Sequence, residues 1–233
     1  ARRFINLLGI INMEFVSYTE KEGVSQIAMD DGKANAMGFK MFAELEEAIE
    51  RALASSNVII LTGRPGLLSA GFDLKVIQEG TEQEKSELVS KGISILMRLF
   101  GLENPVVVAS SGHAVALGGF LMLVGDYRIG VKGDYKIGLN ETAIGLSLPM
   151  FGLELVKNRL NSRYVTRSAI NAELFSPSQA VEAGFVDAVV AEESLLEEAN
   201  LVAKQLNGLD RTAFKNTKMS LRQGLIEKVL AHH

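Results

Sequence analysis

The stretch "KIGLNETAIGL" (136–146) sets one carboxylate, Glu141, among apolar residues and glycines. No other acid lies within six positions on either side, and Asp134 is the nearest. An unpaired buried carboxylate is costly. This one is therefore either satisfied locally, by backbone N–H groups or a basic neighbour, or placed in an environment that tunes it for proton transfer. Two further segments bear on that choice: "RPGLLSAGFDLK" (64–75) and "SSGHAVALGGFLM" (110–122), both rich in Gly and Ala and both following apolar runs. Small residues let a ligand approach the backbone, and the N–H groups that open a helix point outward at its positive end. Two such donors aimed at one carbonyl oxygen form an oxyanion hole. Taken alone, either loop reads more simply as turns and packing.

Other chemistries lack their parts. The 233-residue chain has no cysteine, which removes disulfides, thiolate catalysis and Cys-based metal sites. Its three histidines (His113, His232, His233) make no metal constellation, so no metal is expected. There is no phosphate-binding loop ending in Lys-Ser/Thr, no G-x-G-x-x-G and no G-x-S-x-G elbow. The net charge of −4 argues against nucleic acid as a partner. No apolar run is long enough for a spanning helix, so no membrane partner and a cytoplasmic location are expected.

The elements that would position these residues are legible. "VSQIAM" (24–29) reads as a strand, and Phe42, Leu45, Ile49, Ala52 and Leu53 mark a helix opening after Gly38. "NVIILTG" (57–63) reads as a strand covered on both faces. A second helix (Leu88, Ile93, Leu96, Met97, Phe100) and a second buried strand (105–110) follow, then apolar "FLMLVG" and the strand "DYRIGV" (126–131). Alternating strands and helices imply a mostly parallel α/β sheet, with ligands gathering at the carboxyl ends of its strands. Ser176, Pro177 and Gln179 form a capping box, stopped by Gly184. Segment 193–207 is helical, and the helix-rich C-terminal third is expected as a separate lobe. The domain reading is a core over 13–190, a helical region over 191–233, and an extension over 1–12 upstream of Met13.

Five ordered segments now become informative together: "KANAM" (33–37), "VIILTGRPGLLSAGFDLK" (58–75), "SGHAVALGGFLMLVGDYRIG" (111–130), "YKIGLNETAIGL" (135–146) and "SPSQAVEAGFVDAVV" (176–190). In these the chain resembles the crotonase superfamily, enzymes acting on acyl-CoA thioesters, from about residue 15 to about residue 220. The resemblance implies a crotonase-like spiral of ββα units with a C-terminal helical region, assembled as a homotrimer or dimer of trimers. It implies an acyl-CoA substrate and no separate cofactor, coenzyme A being part of the substrate.

By the same resemblance the oxyanion donors are the N–H groups of Ala70 and Leu117, with Gly118 one register step from the latter. Ser69, Gly71, Phe72, Asp73, Lys75, Gly118 and Phe120, with main-chain atoms of Ala34 and Ala36, would contact acyl-CoA. Met37 and Phe151 are further candidates for acyl-pocket walls. Family hydratases use two glutamates; the first position falls on Phe120 here and the second on Glu141. One acid within "GLNET" resembles the Δ3,Δ2-enoyl-CoA isomerases, which move a double bond from C3 to C2 and need a single base. Hydration of a 2-enoyl-CoA, and acyl-CoA binding without catalysis, are the alternative readings. His113 is expected to pack behind its loop, and Asp126 to be structural.

Overall fold

The apolar runs become the central strands of a sheet. In this computed structural model, which describes residues 4–5, 10–55 and 57–232, eight strands lie in the order β1-β2-β3-β4-β5-β7-β9-β12. They are β1 (Phe4–Ile5), β2 (Ile11–Asn12), β3 (Val16–Lys21), β4 (Val24–Met29), β5 (Val58–Thr62), β7 (Val106–Ala109), β9 (Tyr127–Val131) and β12 (Ala188–Val190). The first four pair antiparallel; from β4 to β12 every pairing is parallel. Every residue of β5 and of β7 is buried, as unbroken apolar runs require. Each Val, Ile or Leu so buried contributes roughly 1.5–3 kcal/mol.

The reason for burial on both faces is two separate apolar layers. On one side Ile59, Leu61, Val106 and Val108 join the main core with α1 (Phe39–Ala54) and α3 (Glu82–Gly101). On the other, Val58, Ile60, Val107 and Ala109 meet Leu195, Ala199, Val202 and Ala203 of α8 (Leu195–Asn207). The C-terminal region is helical as expected, but α8 is not a separate lobe: it covers the second face of the sheet.

A second, smaller sheet runs β11-β10-β8-β6, made of β6 (Gly66–Ser69), β8 (Gly112–Val115), β10 (Ile137–Gly138) and β11 (Leu174–Phe175). Two of them, β6 and β8, lie inside the segments that periodicity alone reads as strand-to-helix loops. They are short and Gly-containing, so they carry no strand signal of their own. Each main strand thus hands over to a small-sheet strand and then a helix: β5–β6–α2 (Leu74–Glu79) and β7–β8–α4 (Leu117–Val124), with β9–β10 leading towards α5 (Met150–Arg159). This is the ββα spiral. Helices α6 (Ser162–Ala169), α7 (Pro177–Ala183) and α9 (Arg211–Leu230) complete the chain. The Ser176/Gln179 capping box opens α7, and Gly184 closes it at φ 95°.

Asp126 ties α9 to the core. Its carboxylate takes Val106 N–H at 2.7 Å, Lys218 Nζ at 2.7 Å and Arg222 Nη1 at 2.9 Å. Arg222 also lies 4.2 Å over the Phe100 ring. Burial pulls the Lys218 ammonium down to about 8 despite that carboxylate. Within the expected extension over 1–12, β2 pairs with β3, and Ile11 packs on the core beside Met13. The rest of that segment, apart from residues 4–5 and 10, lies outside the described residues. No helix among the described residues is long and apolar enough to cross a membrane.

Candidate active site

Glu141 is delivered by the small sheet. Strand β10 pairs in parallel with β8, and the Ala116 N–H donates to Gly138 O at 3.0 Å. Three residues later the chain turns through Thr142–Ile144, closed by Ile144 N–H to Asn140 O at 3.2 Å and Leu146 N–H to Glu141 O at 2.9 Å. Gly145 reverses the chain at φ 80°. The Thr142 hydroxyl donates to Ala169 O at 3.0 Å and fixes the turn to the end of α6. Glu141 is half-buried, and its Oε2 is shut from solvent with no partner. Burial pushes its carboxyl above the usual carboxylate range, opposed by the backbone N–H groups of Glu141 and Asn140. That is the state a proton carrier needs, with the neutral acid within reach.

The amides of residues 70–73 are not equivalent. Ala70 N–H donates to Ala34 O at 3.1 Å, Gly71 N–H to Ser69 Oγ at 3.1 Å, and Asp73 N–H to Met37 O at 3.3 Å. Phe72 N–H has no acceptor among the described residues. Its residue forms a parallel bridge with Met37, in which the flanking residues bond to Met37 and Phe72's own N–H points away. The expectation for Ala70 is therefore corrected: its donor is already engaged by the "KANAM" loop, and Phe72 carries the free amide. The two differ by two positions, which sequence register alone does not separate.

The second free amide is Leu117 N–H, at the first position of α4, where no acceptor exists within the helix. Ala116 before it sits at φ 53°, ψ −122°, a strained conformation for a residue with a Cβ. A Cβ built on Gly71 would lie 2.9 Å from Ala116 Cβ and 3.7 Å from Leu117 N, so the first loop rests on the start of α4. Gly118 and Gly119 make the rest of this closeness possible. A Cβ would meet Ser69 O at 2.2 Å from the first and Gly138 O at 2.5 Å from the second. Helix α4 is thereby wedged between the free-amide loop and the strand leading to Glu141.

Several residues expected to contact acyl-CoA have partners of their own within the fold. Ser69 is fully buried, and its hydroxyl donates to Asn35 O at 2.8 Å. Asp73 caps α2 through Lys75 N–H at 2.9 Å. The Phe72 ring packs edge-on to Phe42, centroids 6.3 Å apart. Phe120 is 1% exposed and packs on Phe151 at 5.0 Å, one turn along α4 from Leu117; it belongs to the core. Lys75 is exposed. His113 packs behind its loop as expected, its Nδ1 accepting Lys136 N–H at 3.0 Å.

Two residues that hold Ala34 and Ala36 escape the sequence reading. Asn35, fully buried at φ 46°, donates to Met29 O at 2.9 Å and Leu68 O at 3.0 Å. The Asp31 carboxylate gathers N–H groups of Lys33, Asn35 and Ala36 at 2.7–2.9 Å. An Asn between two alanines after "DDG" is the signal that was available, since Asn tolerates that φ. Beyond Phe151 lies a cavity of 440 Å³ whose apolar wall is Val89, Ile93, Met150, Phe151 and Val229; Glu141, Phe72 and Leu117 do not line it. No group of three or more His, Asp or Glu suited to a metal occurs among the described residues.

Comparisons with known proteins identify the family. Residues 19–232 match the family model described as enoyl-CoA hydratase/isomerase. The mitochondrial enoyl-CoA delta isomerase 1 of Mus musculus is 26% identical over 234 residues, covering 99% of this chain and 79% of that protein. Carnitinyl-CoA dehydratase of Salmonella enteritidis is 29% identical over 196 residues, covering 83% of this chain and 74% of that protein. A solved structure of an enoyl-CoA hydratase/isomerase family protein from Pseudomonas syringae is 40% identical, with a TM-score of 0.91 over 93% of this chain and 94% of that one. With its spiral fold, its family match and its site residues in order along the sequence, the chain belongs to the enoyl-CoA hydratase/isomerase family of the crotonase superfamily.

Proposed function

We propose that the protein shifts the double bond of a 3-enoyl-CoA to give the 2-enoyl-CoA, with Glu141 as the only acid–base group. The observation that carries this reading is a half-buried carboxyl with one oxygen shut from solvent and its pKa raised, while the position of a family hydratase's other acid is the core residue Phe120. Glu141 takes a proton from C2, negative charge moves to the thioester oxygen, and the same carboxyl returns a proton at C4. The N–H groups of Phe72 and Leu117 hold that oxygen; one such donor is worth about 3 kcal/mol in the transition state. The acyl tail runs past Phe151 towards the 440 Å³ cavity. A 3-enoyl-CoA assay tests the reading: Glu141→Gln is expected to lose about 10²–10⁴-fold in kcat, and near-normal turnover would exclude it.

Hydration of a 2-enoyl-CoA is the second reading, favoured by the similarity to carnitinyl-CoA dehydratase. It requires a polar group in place of Phe120 to hold water. Water addition at a rate comparable to isomerisation would establish it.

Assembly as a homotrimer or dimer of trimers belongs to the same proposal. It is supported by a groove lined by Leu206, Leu209, Phe214 and Leu221 beside α9, with Leu209 50% and Leu221 73% exposed. Sedimentation velocity checks it: a monomer at micromolar concentration would count against it.

A further inference from the structure

Ser69, the last residue of β6, touches the backbone next to both free amides. Its hydroxyl makes two bonds on the side of the first loop. It donates to Asn35 O at 2.8 Å and accepts Gly71 N–H at 3.1 Å, and Gly71 directly precedes Phe72. Its carbonyl and Cβ face the second loop at Gly118, directly after Leu117. A Cβ built on Gly118 would stand 2.2 Å from Ser69 O and 3.2 Å from Ser69 Cβ. One fully buried residue therefore braces both donors.

The hydroxyl does what a methyl group could not. Giving its proton to Asn35 O leaves its lone pairs for Gly71 N–H. Gly71 sits at φ 112°, a region open to glycine, so its conformation needs an external hold. Ser69 holds its N–H, and Met37 N–H holds its carbonyl at 2.9 Å. That carbonyl shares a trans peptide with Phe72 N–H, so the Phe72 amide must point the opposite way. On the other donor, Ala116 O, in the same peptide as Leu117 N–H, takes Phe120 N–H at 3.2 Å. Without the Ser69 hydroxyl, Gly71 N–H would become a further free donor and the Phe72 peptide would be held at one end only. Ser69 and Asn35 are both fully buried, so bulk water does not compete for these bonds.

We propose that Ser69 is a positioning residue that fixes the direction of Phe72 N–H and its spacing from Leu117 N–H, acting through the backbone and not by touching substrate. The inference rests on the reading of those two amides as the holders of the thioester oxygen.

The test is isotope-edited infrared spectroscopy of hexanoyl-CoA carrying ¹³C at the thioester carbonyl, a saturated probe that has no double bond to shift. Donors aimed at the oxygen weaken the C=O bond, so the wild type is expected to lower its stretching frequency from the value in water. Ser69→Ala is expected to lose about half of that shift or more. On a 3-enoyl-CoA its kcat should fall about tenfold, with KM within about twofold. Ser69→Cys keeps a weaker donor and acceptor. It is expected to fall between the two, and it serves as the readout if the alanine variant does not fold. A brace for stability alone would lower the unfolding midpoint and leave the carbonyl frequency of the folded variant unmoved. Variants with the wild-type frequency and kcat, beside a wild type that shows the shift, overturn this inference alone. A wild type that leaves the carbonyl at its value in water overturns the reading of the two amides and this inference with it. A shifted carbonyl in a wild type that turns over no 3-enoyl-CoA overturns the isomerase reading, and Ser69 is then judged on the frequency alone.

Discussion

Phe120 and Phe151 pack with ring centroids 5.0 Å apart, and a Cβ on Gly152 would come within 2.7 Å of the Phe120 ring. The space where an acid would stand is filled by an aromatic pair, with the next helix drawn in against it through a glycine. Phe120→Glu is therefore expected to lose about 3–5 kcal/mol from the lost ring, with the burial of a carboxyl added to that, and not to gain hydration. Urea unfolding and a 2-enoyl-CoA assay check both points. A stable variant that adds water would show that the ring is not needed for packing.

The raised carboxyl of Glu141 links activity and stability to pH in opposite senses. Proton removal needs the ionised form, so kcat/KM should fall on acidification through an apparent pKa above the ordinary carboxylate range. Folding favours the neutral form, because burial penalises the charge. Stability contributed by this group is thus fully present below the unfolded pKa and lost as pH rises through the folded one. Glu141→Gln should be more stable than the wild type at neutral pH and lose that advantage near pH 4. Thermal unfolding of both proteins across this range measures the difference; a constant gap would rule out the linkage.

Glycines at two positions should respond oppositely to alanine. At Gly118 the new methyl would lie 2.2 Å from Ser69 O, so the backbone must move and carry the Leu117 amide with it. The expected result is a loss of about 1–3 kcal/mol and about 10² in kcat. At Gly224, inside α9, nothing lies within 4 Å. Gly224→Ala should gain up to about 1 kcal/mol from helix propensity, with activity unchanged. Denaturation midpoints and initial rates for the pair provide the comparison.

Asp126 neutralises two cations, so removing it should cost more than removing either. Asp126→Ala leaves Lys218 and Arg222 buried without their carboxylate and is expected to cost about 3–5 kcal/mol. In Lys218→Met the carboxylate keeps Arg222 at 2.9 Å and Val106 N–H at 2.7 Å. The lowered Lys218 pKa, about 8, means that its charge is tolerated at a cost at neutral pH. That cost is absent above the unfolded lysine pKa and grows as pH falls through the folded one. Lys218→Met should therefore be the milder change, and chemical denaturation at pH 7 decides the order.

By itself the sequence determined the main parallel strands, the helices packed on them, the family and the lone acid. Val58–Thr62 and Val106–Ala109 are unbroken apolar runs, and the Ser176 capping box is a local code that needs no tertiary help. Glu141 stood out because nothing near it in the chain shares its charge. Only the tertiary structure decided which amides are free. Ala70 and Phe72 are both backbone donors in one loop, and it is the fold of the "KANAM" segment, pivoting on buried Asn35, that engages the first and leaves the second. The small sheet was likewise illegible, because strands of only two to four residues owe their form to their neighbours. Nor could the chain alone show that α8 seals the far face of the sheet. Those choices depend on contacts between residues far apart in the sequence, and hydrogen-bond partners are settled only when the segments meet.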